Sequence, residues 1–329
     1  MSNSSEQSPN IRAGLPWQTG TIPLMLAPMQ GVTNRATRAL FIDWVKPDVV
    51  FSEFMRVSAA GRKRLSKNDL REVAADEQNV PLVVQLVGHD REALASAARV
   101  VESGGIRHIN LNLGCPYGRM TTSATGGRLL EQPGVLREIL PMLRQSVSGT
   151  FSIKLRAGYS DPQQIFALLS LFETCAVDFL ILHPRTVVQA YKGHPDHTIT
   201  AEVVRQTCIP VIANGDIRCA EDGRRILQQT GAAGLMLGRG AISDPLLFER
   251  MRGSLPDSQV PAERAATLRR YLFDLLERYR TFFCGETQIL SKIKGVVLFI
   301  SDQDFDSQLL QLRRAKTLAV FKRLLGELG

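Results

Sequence analysis

Short, almost wholly apolar runs recur along the first 250 residues, with amphipathic stretches between them. The runs read as strands over Leu24–Met29, Val49–Phe54, Pro81–Val87, His108–Leu113, Phe151–Arg156, Phe179–Pro184, Pro210–Asn214 and Gly234–Gly238. The stretches between them, including Arg91–Ser103, Leu129–Gln145, Pro162–Cys175 and Ala220–Thr230, carry helical spacing. Near-continuous apolar strands are expected where helices cover both faces of a parallel sheet. Eight such units in succession predict an α/β fold, a (β/α)8 TIM barrel. A doubly wound sheet competes, but it more often has about five or six units and a glycine-rich first turn. No G-x-G-x-x-G follows any of these strands.

Beyond residue 253 the pattern loses its strands. Ala262–Phe282, Thr287–Phe299 and Asp306–Leu328 repeat Leu, Ile, Val and Phe at helical spacing, predicting a small C-terminal all-α helical domain. The expected plan is a flexible leader over 1–20, a catalytic barrel over 21–253, a break at Pro256-Asp257-Ser258 and a helical domain over 257–329. The leader is rich in Ser, Asn, Gln and Pro and lacks the apolar stretch of a secretory signal. No apolar run reaches the roughly 18 residues of a membrane span.

The polar residues inside these strands fall into order. Gln85 lies late in the third strand, Asn110 and Asn112 late in the fourth, Lys154 and Arg156 late in the fifth. His183 ends the sixth, Asn214 and Asp216 leave the seventh, and Arg239 follows the eighth. A single buried amide is readily explained by packing. Six consecutive strands turning polar at one end predict an active site at the C-terminal barrel mouth. Asn110 and Asn112 share a strand face, and the same strand exits into Gly114-Cys115-Pro116, where a thiol sits on a backbone shaped for a turn.

Two glycine turns, Asn214-Gly215-Asp216 and Gly238-Arg239-Gly240, follow strands seven and eight. Barrels commonly bind phosphate there, through backbone N–H groups and a helix start. Arg239 would add a charge-assisted contact. Lys154 calls for an anionic or electron-rich partner, since an unpaired buried ammonium is costly. A flavin ring edge fits, with His183 assisting; an ion pair with Glu53 is the structural alternative.

Charge and cysteines narrow the setting. A net charge of +8 and a pI near 9.5 favour polyanionic partners. The tail is only modestly basic, with 12 Lys and Arg against 9 Asp and Glu from 257 to 329. Five widely spaced cysteines without a Cys-x-x-Cys point to a reducing cytoplasm, with no disulfide framework and no metal site.

Seven segments in order then carry a resemblance. They are Ala27–Arg35, Ser52-Glu53-Phe54, Val84-Gln85-Leu86, Asn112–Pro116, Lys154-Leu155-Arg156, Ile212–Ile217 and Leu237–Gly240. Over roughly residues 22–250 the chain resembles the tRNA-dihydrouridine synthases, flavoenzymes that reduce uridine in RNA. The tail is similar to that family's helical RNA-binding domain in size and position only.

The resemblance implies FMN across the barrel mouth, contacted by Pro28, Met29 and Gln30, with Gln85 and Lys154 at its polar edge and His183 nearby. Asn214, Gly215, Asp216, Gly238 and Arg239 would hold its phosphate. NADPH would reduce the flavin at a shared site. The target uridine of tRNA would be extruded into the pocket, taking hydride from N5 at C6 and a proton from Cys115 at C5. Such a cysteine must keep its proton until it acts, unlike a nucleophilic thiolate. Asn112, Arg119, Arg156 and Arg185 would contact substrate. A monomeric cytoplasmic enzyme, away from membranes, is expected.

The sequence departs from the family pattern at several points. Arg119 stands where a lysine is usual, Asn110 where Asp is common, Ala124 and Pro184 where glycine is usual, and Gly193–Thr200 lacks a common aromatic. These changes fall on substrate-side loops more than on the flavin shell. Two other readings stay open: an FMN barrel acting on a free pyrimidine such as dihydroorotate, and a paralogue that binds RNA without reducing it.

Overall fold

A computed structural model describes residues 14–60, 63–74, 80–116 and 125–329. Arg119 and Ala124 lie outside them, as do Thr121, Thr122 and Ser123.

Among the described residues nine parallel strands form one closed sheet. They are β1 (Leu24–Leu26), β2 (Val49–Phe51), β3 (Met55–Arg56), β4 (Leu82–Val87), β5 (His108–Leu113), β6 (Thr150–Gly158), β7 (Phe179–Thr186), β8 (Val211–Asn214) and β9 (Gly234–Leu237). β1 pairs with β9, and β2 pairs with both β1 and β4, which closes the cylinder. The run read as Val49–Phe54 divides: β3 resumes on β4 after a break at Ser52–Phe54, so eight barrel positions are filled by nine segments.

The period of two sorts each strand. Ile109, Leu111 and Leu113 join Ile153, Leu155, Leu180 and Leu182 in the core between sheet and helices. The opposite faces point into the barrel. Its floor is apolar, built of Met25, Val49, Phe51, Val83, Phe179, Ile181, Ile212 and Met236. Leu15 and Trp17 pack against this floor, with Trp17 edge-on to Phe179 at 5.0 Å, so the C-terminal part of the expected leader covers the barrel base. Interior polar residues begin one layer above, at the level of the neighbouring Gln85, Asn110 and Ser152.

Helices α1 (Arg35–Val45), α3 (Arg91–Ser103), α4 (Pro133–Ser146), α5 (Phe166–Thr174), α6 (His197–Gln206) and α7 (Ala220–Thr230) surround the sheet. A short α2 (Lys67–Glu72) follows β3. Asp90 caps α3 by accepting from the Ala93 N–H, and Gly231 ends α7 in the left-handed conformation. Short α8 (Arg239–Ser243) and α9 (Leu247–Arg252) then lead to the tail.

The tail is helical, in four pieces rather than three: α10 (Pro261–Phe282), α11 (Glu286–Val297), α12 (Asp306–Arg314) and α13 (Leu318–Gly326). The span read as one helix breaks at 315–317, where Thr317 caps α13 by accepting from the Val320 N–H and Lys294 holds the Ala315 carbonyl. Continuous apolar spacing hid this break. Tail and barrel share one apolar core: Tyr271, Leu272, Leu275 and Leu276 of α10 pack with Leu40 and Phe41 of α1. Trp44 donates to Asp274 at 2.8 Å across the same seam, and Arg278 pairs with Asp43.

Candidate active site

The C-terminal mouth of the barrel holds a cavity of about 510 Å³. Its floor layer is a chain of amides. Gln85 donates to Asn110 Oδ1 at 2.8 Å and accepts from Asn112 at 2.7 Å; Asn110 donates on to Ser152 at 2.9 Å. These neighbours satisfy one another, which is why an apolar strand tolerates them. Asn112 then turns outward in effect: its Oδ1 accepts from the backbone N–H of Gly114 and of Cys115, both at 3.0 Å. The thiol-bearing backbone is thus fixed by a side chain three residues earlier. Gly127 donates to the Cys115 carbonyl, and a Cβ on Gly126 would crowd Cys115, so the glycine pair closes tightly behind the thiol.

Lys154 projects from β6 and donates to Asn214 Oδ1 at 3.1 Å. No carboxylate reaches it among the described residues. The Glu53 alternative is not what forms: Glu53 instead accepts from the Gly31 N–H at 2.8 Å. Burial, then the nearby Arg156 charge, brings the Lys154 ammonium down to about 8, against a weaker pull from Cys115.

The opposite wall is charged. Asp216, in a left-handed backbone conformation with φ 47° after Gly215 at φ 125°, bridges Arg185 at 2.7 Å and Arg239 at 2.6 Å. Burial alone would raise the Asp216 carboxyl, but the hydrogen bond and charge of Arg185, with Arg239 and Arg218, hold it below its usual range. Gly215 is needed twice over, for its φ and because a Cβ would strike the His183 ring. Burial and four cations, Lys154, Arg156, Arg185 and Arg239, hold the His183 imidazole far below its ordinary value.

All eleven residues expected to contact a cofactor line this one cavity: Pro28, Met29, Gln30, Gln85, Lys154, His183, Asn214, Gly215, Asp216, Gly238 and Arg239. Cys115 and Asn112 line it too. Two residues expected at the substrate stand behind the wall. Arg156 and Arg185 are only 2% and 1% exposed. Arg156 donates to the carbonyls of Gly114, Thr186 and Ala190, and Arg185 to Asp216 and the Gly193 carbonyl. Their long side chains run back along the strand ends, because fixed guanidinium forks find the turn carbonyls first. Arg119 lies outside the described residues.

A family model described as dihydrouridine synthase matches residues 25–303. The chain belongs to the dihydrouridine synthase family. It is 34% identical over 230 residues to the tRNA-dihydrouridine synthase B of Vibrio cholerae serotype O1, covering 70% of each chain. Its identity to the enzyme of the same name from Vibrio vulnificus is 30% over 276 residues, 84% of this chain and 82% of that one. Among solved structures, the old yellow enzyme homologue of Zymomonas mobilis is similar in fold, with a TM-score of 0.52 and 13% identity over 74% of this chain and 91% of that one.

In this dihydrouridine synthase family member, two aromatic wall residues escaped the sequence reading. Tyr191 lies in the loop after β7, with the guanidiniums of Arg239 and Arg156 4.9 and 5.2 Å from its ring centre. An aromatic in the exposed loop that follows a barrel strand's C-terminal end was the available signal. Phe299 comes from the tail just after α11. Nothing in a helical apolar pattern separates a cavity-lining Phe from a core one.

The residues suit a flavin on their own terms. A half-buried ammonium with only a neutral partner, a glycine turn at Gly238 where even a Cβ would meet only ordinary contacts, and an adjoining arginine make a donor set for a polyanionic, electron-poor ring cofactor.

Proposed function

We propose that this chain is a cytoplasmic tRNA-dihydrouridine synthase, reducing the C5–C6 bond of a uridine in tRNA with FMN as cofactor and NADPH as reductant. One observation carries the reading: the Cys115 thiol lines the same cavity as Lys154 and the two glycine turns. A proton donor, a cation suited to a reduced ring and a phosphate cradle therefore face one volume.

FMN, when bound, supplies hydride for C6 of the uracil. The chain does the rest. Pro28 and Met29, with the amide of Gln30 beside them, would form the lip against which a flat ring could rest. Lys154 would offset negative charge on the reduced ring. Gly238, Gly215 and Arg239 would receive the phosphate, with Asp216 holding Arg239 in place. Asn112 holds the Cys115 backbone and takes part in seating the base. Cys115 would give its thiol proton to C5. Water restores the proton.

A uridine stacked in RNA must leave its stack to reach this depth. We assign RNA binding to the helical tail, whose Phe299 meets the cavity rim and whose core is continuous with the barrel. The test uses the purified full chain with FMN, NADPH and an unmodified tRNA transcript, followed by nucleoside mass spectrometry. Dihydrouridine in the transcript is expected. Flavin that binds and is reduced while the tRNA stays unmodified would overturn the reading. Reduction of a free pyrimidine instead would favour a small-molecule oxidoreductase.

A further inference from the structure

His183 and Arg185 lie two residues apart on β7, so their side chains leave the same face of the strand. Arg185 Nη1 sits 3.1 Å from His183 Nε2. A guanidinium has donors only and stays protonated in proteins. The imidazole nitrogen facing it must therefore accept, which leaves Nε2 bare and puts the ring's single proton on Nδ1. Arg185 is itself held from the far side by Asp216 at 2.7 Å and by the Gly193 carbonyl, so it cannot swing away to accommodate the other tautomer. The ring has a second wall in Gly215, where a Cβ would already clash with His183 Cδ2 and Nε2. Among the described residues Nδ1 has no protein acceptor, while the residue lines the cavity.

We propose that Arg185 is a positioning residue that fixes His183 as the neutral Nδ1–H tautomer, so that β7 presents a hydrogen-bond donor, not an acid, to the cavity. The ligand atom opposite His183 is then an acceptor, a carbonyl or phosphate oxygen. A pyridine-like nitrogen bearing hydrogen, or an ammonium, would find no partner there. The charged groups facing the ring are Lys154, Arg156, Arg185 and Arg239, each of which disfavours an imidazolium, with Asp216 behind Arg185 and neutralised by it. His183 is thereby excluded as a second proton source, and Cys115 remains the donor. The statement about the ligand rests on reading the cavity as the cofactor site; the tautomer does not.

The test is nitrogen NMR of the full-length protein with ring-labelled histidine. The five histidines are separated by assigning His183 through His183→Gln. In wild type at neutral pH, Nε2 is expected at the shift of an unprotonated nitrogen and Nδ1 at that of a protonated one. A protonated Nε2, or an imidazolium, overturns the proposal without touching the functional assignment. In Arg185→Met the Nδ1–H share is expected to fall about tenfold, because a charge-assisted hydrogen bond has been lost; Arg185→Lys, which still donates, should restore it. An unchanged ratio in a folded Arg185→Met would also sink the idea. Should that variant not fold, the wild-type spectrum alone decides.

Discussion

Across β4 and β5 the barrel mouth is built from neutral amides that satisfy one another, whereas across β7, β8 and the turn after β9 it is built from charges. Gln85, Asn110, Asn112 and Ser152 form a closed chain ending at the Cys115 backbone. Each amide of that chain already has a hydrogen-bond partner within the protein. On the other side, Arg185 and Arg239 share one carboxylate, Asp216, and Lys154 at the seam has only an amide. That half holds more positive charge than the protein neutralises, and it becomes complete when an anion arrives. Placement of the thiol is thus a property of the folded chain, and retention of the cofactor a property of chain and ligand together.

Cys115→Ala divides the halves most sharply. Flavin affinity and reduction by NADPH should stay as in wild type, while dihydrouridine formation falls by about 10²–10⁴-fold, the usual range for a lost proton donor. Single-turnover oxidation of the pre-reduced enzyme by tRNA measures it. Undiminished turnover would remove the thiol from the chemistry.

Asp216→Asn attacks the charged half. Arg185 is buried, and stripping its carboxylate leaves an uncompensated charge, so a loss of about 3 kcal/mol in denaturant unfolding is expected. The pH dependence fixes the sign. A carboxyl held below its ordinary value in the folded state adds stability that is present above its unfolded pKa and lost as pH falls through the folded one. The stability gap between wild type and Asp216→Asn should therefore close in acid. A constant gap would mean the charge is not what matters there.

Lys154→Met should move stability and function in opposite directions. With its ammonium brought to about 8 from an ordinary 10.5, the folded chain holds fewer protons than the unfolded between those values. The burden is full below about pH 8 and eases as pH rises. Ligand-free Lys154→Met is expected to be more stable at neutral pH, on the order of 1–3 kcal/mol, while binding flavin roughly 10–100-fold more weakly, the range of a lost charge-assisted contact. Fluorescence titration and thermal unfolding read both. A destabilised variant that keeps its flavin would reverse the comparison.

The two halves were not equally legible in the sequence. Gln85, Asn112 and Lys154 announce themselves because period-two alternation turns polar inside apolar strands, and the strand ends fix their level. The glycine turn at 215 was likewise visible, since its φ demand and close approach to His183 leave a residue-type signature. What stayed hidden was direction. Arg156 and Arg185 look like substrate ligands in one dimension, but their partners are loop carbonyls and Asp216, set by folds of chain far from them in sequence. Phe299 and the break at 315–317 were hidden because apolar spacing does not say which surface a helix meets. The division at Ser52–Phe54 was hidden for the same reason.

The smallest expected effect concerns the third party to the mouth, the helical tail. The Tyr279 hydroxyl of α10 is fully buried and meets Thr37 Oγ1 at 3.0 Å and Asn34 Nδ2 at 3.5 Å. Asn34 caps α1 and ends the turn whose Met29 N–H donates to Thr33, so a neutral chain runs from tail to cavity lip. This link resembles the amide half: it is satisfied within the protein and carries no charge. Tyr279→Phe should accordingly lower unfolding stability by about 1 kcal/mol, the net worth of an ordinary hydrogen bond, and leave flavin affinity within about twofold. If affinity instead fell as far as in Lys154→Met, the tail would be holding the cofactor lip in place, and the charged half would not act alone in retaining the ligand.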